Sequence, residues 1–167
     1  MKKQSIALVA TLALACAPLM SWAMSHGGDH AMDGAKMPVS QTVKGSDCWV
    51  RLLPAPAPSG GFFMLQNSGK EDAIVGAASA KWGQVMVHQT TQEGGMSRMS
   101  MVEQVPLPAG GKVEFKPGGY HLMFEKPAAE VAVGDTVPVQ LMLKSGARVD
   151  LSCEVKPANA MPAPMSH

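Results

Sequence analysis

The chain has 167 residues, 14 of them Met against four Phe, three Trp and one Tyr, with 14 basic and 13 acidic side chains. That length holds one ordinary domain, and the near-neutral charge gives no electrostatic case for a nucleic acid or an anionic membrane surface as partner. The methionine excess is what calls for a chemical reason.

Lys2 and Lys3 precede an apolar run from Ile6 to Met20 and then Ser21-Trp22-Ala23. A basic start, a short apolar stretch and a small-x-Ala exit describe a secretory signal peptide over 1–23, cleaved near Ala23, which places the mature protein in the periplasm. The run is short for a bilayer span, so no stable membrane insertion is expected. Cys16 could serve as a lipid anchor, but Ala13 stands where such leaders carry Leu. The mature chain keeps 12 of the methionines and two cysteines, Cys48 and Cys153.

Residues 24–45 lack any apolar period and carry His26, His30, Met32 and Met37, which reads as a flexible arm. From Pro157 the chain is Pro/Ala-rich and ends with Met161, Met165 and His167, a disordered or extended tail. Between them, 46–156 reads as β throughout. Strand-like segments are expected at Cys48–Leu53, Gly61–Gln66, Ala73–Ala78, Gln84–Thr90, Met99–Val105, Lys112–Phe115, Tyr120–Glu125, Thr136–Lys144 and Ala147–Val155. Turn chemistry such as Gly94-Gly95, Pro117-Gly118-Gly119 and Ser145-Gly146 separates them, and no stretch sustains a helical period. The composition indicates an antiparallel sandwich or barrel. In an oxidising compartment, Cys48 and Cys153 are expected to pair and join the first and last strands.

Alternation singles out the residues that carry chemistry. In Tyr120-His121-Leu122-Met123-Phe124, the bulky Tyr, Leu and Phe share one face, so His121 and Met123 project together from the other. In Val85-Met86-Val87-His88, the valines face the core and His88 lies opposite with Met86. Around Met99 parity does not decide, and Met96, Met99 or Met101 could each be a ligand. A methionine in a sandwich is usually core filler; it is the joint placement with histidines that points to a soft metal. Thioether sulfur favours Cu(I), and imidazole is compatible with copper.

At these residues the sequence resembles the periplasmic copper chaperones of the PCu(A)C family, whose motif is His, ten residues, Met, twenty-one residues, His-x-Met. His88 to Met99 encloses ten residues, Met99 to His121 encloses twenty-one, and His121-Leu122-Met123 completes the pattern. The resemblance selects Met99 over Met96 and Met101, and it extends to Trp49-Val50-Arg51, the 60–67 run Gly-Gly-Phe-Phe-Met-Leu-Gln-Asn and Pro117–His121. It implies an all-β, antiparallel, cupredoxin-like (Greek-key) β-sandwich that holds Cu(I) with His88, Met99, His121 and Met123. It implies delivery of copper to respiratory oxidase copper subunits, directly or through Sco-type thiol chaperones. Family members with Met/His-rich tails can hold a second copper, often Cu(II); here His26, His30, Met32, Met37, Met161, Met165 and His167 are the candidates. The Cys48/Cys153 pair lies outside the motif, and Phe stands near 62–64 where Tyr is expected.

The expected protein is a monomer and not an enzyme: no nucleophile-with-base arrangement and no carboxylate-rich metal site is visible. An electron-transfer copper site wants a thiolate near its His and Met, and no cysteine lies between 49 and 152. A periplasmic buffer that sequesters copper without delivering it is the competing reading.

Overall fold

The computed structural model describes residues 36–161, which form ten strands and no α-helix. In chain order they are β1 (Val43–Arg51), β2 (Ser59–Asn67), β3 (Asp72–Ala78), β4 (Trp82–Glu93), β5 (Met96–Met101), β6 (Val105–Leu107), β7 (Lys112–Phe115), β8 (Tyr120–Pro127), β9 (Thr136–Leu143) and β10 (Arg148–Lys156). They hydrogen-bond in the order β5-β4-β8-β7-β2-β1-β10-β9-β3-β6, with β8 also meeting β2 directly. The fold is the all-β, cupredoxin-like one. Two neighbouring pairs, β1–β10 and β7–β8, run parallel; every other ladder is antiparallel.

β10 shows why the sequence folds this way. Val149, Leu151, Cys153 and Val155 are buried, while Asp150, Ser152 and Glu154 between them are exposed. That period of two is what a strand with one face on the core requires. β9 matches it with Val137, Val139, Leu141 and Leu143. These side chains join Val50, Phe63, Leu65, Ile74, Phe115, Leu122 and Phe124 in one continuous core.

Cys48 and Cys153 are disulfide-bonded, with Cα atoms 4.4 Å apart, and so tie β1 to its parallel neighbour β10. Parallel strands cannot be joined by a tight turn; this bond makes the link that the backbone cannot. It closes a loop with a sequence separation of 105 residues. In the chain-entropy account such a closure contributes about 4–5 kcal/mol at most.

Two boundaries differ from expectation. Ordered pairing begins before residue 46: Val39 bridges Arg148, the Ser40 amide donates to the Arg148 carbonyl at 2.7 Å, and β1 starts at Val43. Only Val43 of that stretch is buried, so no apolar period announced it. The segment expected as one strand over Met99–Val105 is two. β5 ends at Met101 on one edge of the sheet, and β6 begins at the fully buried Val105 on the opposite edge, beside β3.

Candidate metal centre

A tight turn sets the geometry. β4 and β5 form a hairpin through Gly94 (φ 58°) and Gly95 (φ 80°), with Glu93 opposite Met96. Two consecutive left-handed residues are the signature of the type I′ hairpin turn, and glycine adopts them without steric cost. The turn fixes the register: Met99 lies opposite Thr90, and Met101 opposite His88. On the other side of β4, the β8 ladder places His121 opposite His88 and Met123 opposite Met86. Directly opposed residues share a face. His88, His121, Met86, Met99, Met101 and Met123 therefore occupy one face across three strands.

On β8 the division by face follows the alternation. Leu122 and Phe124 are each 1% exposed in the core, while Met123 on the reverse side is half-buried. On β4, Val87 is buried and Val85 packs against the core. That leaves the imidazole and thioether groups on the sheet's outer side.

The side chains close into two nitrogen–sulfur pairs. His121 Nε2 is 3.1 Å from Met99 Sδ, reaching over β4 to do so, and His88 Nδ1 touches Met123 Sδ. The two rings lie 6.0 Å apart between centroids at an interplanar angle of 68°. A tetrahedral d¹⁰ ion with bonds of about 2.0 Å to nitrogen and 2.3 Å to sulfur separates the two donor types by about 3.5 Å. The His121–Met99 pair is already near that span. All four sequence-selected residues are brought together.

Supporting groups orient the imidazoles. The Gly119 carbonyl accepts from His121 Nδ1 at 3.0 Å, which assigns the ring proton to Nδ1 and leaves the Nε2 lone pair aimed at the Met99 sulfur. Phe62 faces His121 with 6.5 Å between rings and packs against Trp49 at 4.6 Å, the two rings tilted by 39°. Arg51 caps Phe62 from 5.3 Å. His121 is thus only 9% exposed, backed by an aromatic wall. Gly60, opposite Met123, adds no side chain of its own to that face; a Cβ there would come within 3.0 Å of the Phe62 ring. For His88, burial first and the neighbouring His121 second lower the pKa from the ordinary 6.5, with Glu125 opposing them. Both leading causes disfavour the imidazolium and so favour the form that can ligate a metal.

The remaining candidates are scattered. His26, His30, Met32, Met165 and His167 lie outside the described residues. The Met37 carbonyl is held by Arg148 at the start of β10, and Met161 is 81% exposed past its end. Among the described residues no three His, Cys, Asp or Glu side chains gather as a metal cage, so sulfur has to complete any site. A separate groove of about 1180 Å³, lined by Pro54–Pro58, Trp82 and Pro127–Val131 among others, includes none of the four residues. Sequence reasoning did not find the Phe62–Trp49 wall, which arises from cross-strand register, or the Gly119 carbonyl, a backbone group two residues before His121 that its side-chain type does not announce.

The fold and this face together define a small β-sandwich domain with an imidazole–thioether cluster on its outer side. Residues 43–155 match the family described as "Putative lipoprotein LpqE-like". The chain belongs to that family, which is the PCu(A)C family expected from the His and Met spacing. A relative from Leifsonia xyli, Lxx21020, named in the same lipoprotein terms, is 28% identical over 131 residues, 76% of this chain and 78% of the relative. The apo PCuAC domain of PmoF2 superposes with a TM-score of 0.61 at 21% identity, covering 76% of this chain and 98% of that one. The solution structure of Cu(I)-DR1885 from Deinococcus radiodurans gives a TM-score of 0.55 at 28% identity, covering 74% and 83%.

Proposed function

We propose that this chain is an exported copper carrier, not an enzyme, which takes up one Cu(I) ion as cargo between His88, Met99, His121 and Met123 and passes it to an acceptor protein. The observation that carries the reading is the pair of nitrogen–sulfur contacts on one sheet face, His88 with Met123 and His121 with Met99. A relative known with Cu(I) bound, DR1885, supports the choice of ion.

The chemistry suits carriage. All four donors are neutral, so the bound ion keeps its single positive charge, and two thioethers among them favour Cu(I) over harder ions. Thioethers do not form disulfides, so the set survives an oxidising compartment in which Cys48 and Cys153 are bonded. A thiolate-bearing acceptor binds Cu(I) more tightly than thioethers do and can draw the ion away by stepwise exchange. Delivery to an oxidase copper subunit, directly or through a Sco-type thiol chaperone, is the proposed destination, with the monomer as carrier. Storage without delivery is the second reading, since its ligand set is the same. Transfer to an apo acceptor of comparable affinity separates the two.

Export follows from residues 1–23, with cleavage near Ala23 and release into the periplasm. The lipoprotein naming of relatives favours a second outcome, acylation at Cys16. The intact mass of the exported protein decides between a chain starting at Met24 and one starting at a lipid-bearing Cys16. The tail residues His26, His30, Met32, Met37, Met161, Met165 and His167 are proposed to bind a second copper, Cu(II) through imidazoles. Truncation to 43–156 should then lower copper stoichiometry from two to one.

The central test is a Cu(I) competition titration of the mature chain and of a Met99→Leu/Met123→Leu double variant, followed by X-ray absorption on the loaded protein. One ion with two sulfur and two nitrogen neighbours, lost in the double variant, is the expected result. Undiminished Cu(I) retention by the double variant overturns the proposal.

A further inference from the structure

β5 is an edge strand in which all six residues are exposed, and three of the six are methionine: Met96 at 72%, Met99 at 55% and Met101 at 65% exposure. Packing cannot account for them, since a side chain more than half in water gains little from burial. Edge strands usually carry charge or proline to discourage pairing with other chains. Met99 is absorbed by its contact with His121. Met101 is not: neither imidazole–sulfur contact involves it. Yet Met101 sits directly opposite His88 in the β4–β5 ladder and on the same face as both histidines. Opposed residues have Cβ atoms about 4.5–5.5 Å apart, within reach of a flexible thioether. Met101, His88 and His121 thus form one straight row running inward from the sheet edge.

From this row we infer that Met101 is a transit ligand, a third thioether that takes hold of the ion as it leaves the half-buried position for the exposed edge. The inference rests on the four-ligand reading above. In the exchange, a bond forms between Cu(I) and Met101 Sδ while the bond to Met123 Sδ breaks. His88 and Met99 stay bound throughout. Both sulfurs are neutral and no proton moves, so the ion remains Cu(I) and the charge of the complex is unchanged. Met123 is half-buried and Met101 exposed, so the swap carries the ion toward solvent with its ligand number constant. The incoming soft donor of an acceptor then displaces His121 without passing through a bare ion. Met99 and Met101, two residues apart on one strand, are spaced about 6.7 Å along it, which suits two arms closing on one ion.

The test loads the mature protein with Cu(I) and follows its capture by a water-soluble bidentate diimine chelator in stopped flow. Met101→Leu keeps volume and shape at an exposed position, and Met96→Leu, on the other parity, is its control. Met101→Leu should leave equilibrium Cu(I) affinity within about threefold and slow capture by at least about fivefold, while Met96→Leu changes neither. In methyl-labelled protein, the Met101 methyl signal should shift or broaden on Cu(I) loading and the Met96 signal should stay put. Wild-type capture rates in Met101→Leu overturn the transit role and leave the four-ligand site standing. A tenfold or larger loss of equilibrium affinity makes Met101 a resident ligand and also overturns it. Retention of Cu(I) by Met99→Leu/Met123→Leu removes the four-ligand reading, and the transit role falls with it.

Discussion

β10 and β5 belong to the same sheet and treat their apolar residues in opposite ways. β10 sends every second residue into the core and leaves polar groups outside. β5 buries nothing and exposes three methionines. The first arrangement is what folding demands of a strand. The second costs hydrophobic free energy and gives nothing to the core, so its sulfur atoms have to be explained by what they can bind. The comparison teaches that methionine on this fold has two uses, told apart by exposure and register: Met142 is 7% exposed on β9 and fills space, whereas Met99 reaches over β4 to an imidazole.

The sharpest way to break the comparison is to exchange the two costs. Met99→Leu/Met123→Leu should reduce Cu(I) affinity by at least about a thousandfold, about 4 kcal/mol, with the apo melting temperature unchanged. A matched fall in melting temperature would show that these methionines are structural after all. Leu141→Ala, in the core layer of β9, should do the reverse. A fully buried leucine lost to a cavity costs about 2–5 kcal/mol of stability, measurable by urea unfolding, with copper stoichiometry intact in the folded fraction. Cys48→Ser/Cys153→Ser should likewise cost about 2–5 kcal/mol without changing the sulfur count seen by X-ray absorption. Any change in that count would bring the cysteines into the metal chemistry.

A smaller effect comes with pH. Ligand imidazoles must be neutral, and burial together with His121 holds His88 below its ordinary 6.5. The unfolded chain therefore takes up a proton at His88 near 6.5 while the folded chain resists it. The apo protein keeps that stabilisation above 6.5 and loses it as pH falls through the lower folded value. Copper affinity should hold near neutral pH and then decline in acid. His88→Gln should flatten the plot of log affinity against pH between 7.5 and 5, because one competing proton is gone. A slope identical to wild type would remove His88 from the ligand set. The smallest expected effect is that of Met96→Leu, which should leave both affinity and stability within error.

Much of this was readable from residues alone. The alternation in 120–124 divided β8 correctly into a core face with Leu122 and Phe124 and an outer face with His121 and Met123. The same reasoning held for Val87 and His88. It failed to choose among Met96, Met99 and Met101, because on a strand exposed on both faces there is no buried parity to read. Only the hairpin turn at Gly94-Gly95, which locks β5 to β4, makes Met99 and Met101 share the face of His88. The split of 99–105 into β5 and β6 was hidden for another reason: the chain crosses from one edge of the sheet to the other within three residues. Local composition carries no record of which distant strand a segment will join.

The Gly94-Gly95 turn gives the ten-residue interval between His88 and Met99 its meaning. That interval is a ruler: it counts the outgoing limb of a hairpin, its two-residue hinge and the returning limb. Insert a single residue into one limb with the two-residue hinge kept, and Met99 pairs one position away from Thr90, its sulfur turned away from the imidazoles, in a molecule whose core is untouched. Insert one matched residue into each limb and the facing is kept. The number of residues in the two limbs therefore sets the facing, and chains that lengthen the limbs by odd and by even totals should sort into copies whose sulfur turns away from the imidazoles and copies whose sulfur turns toward them.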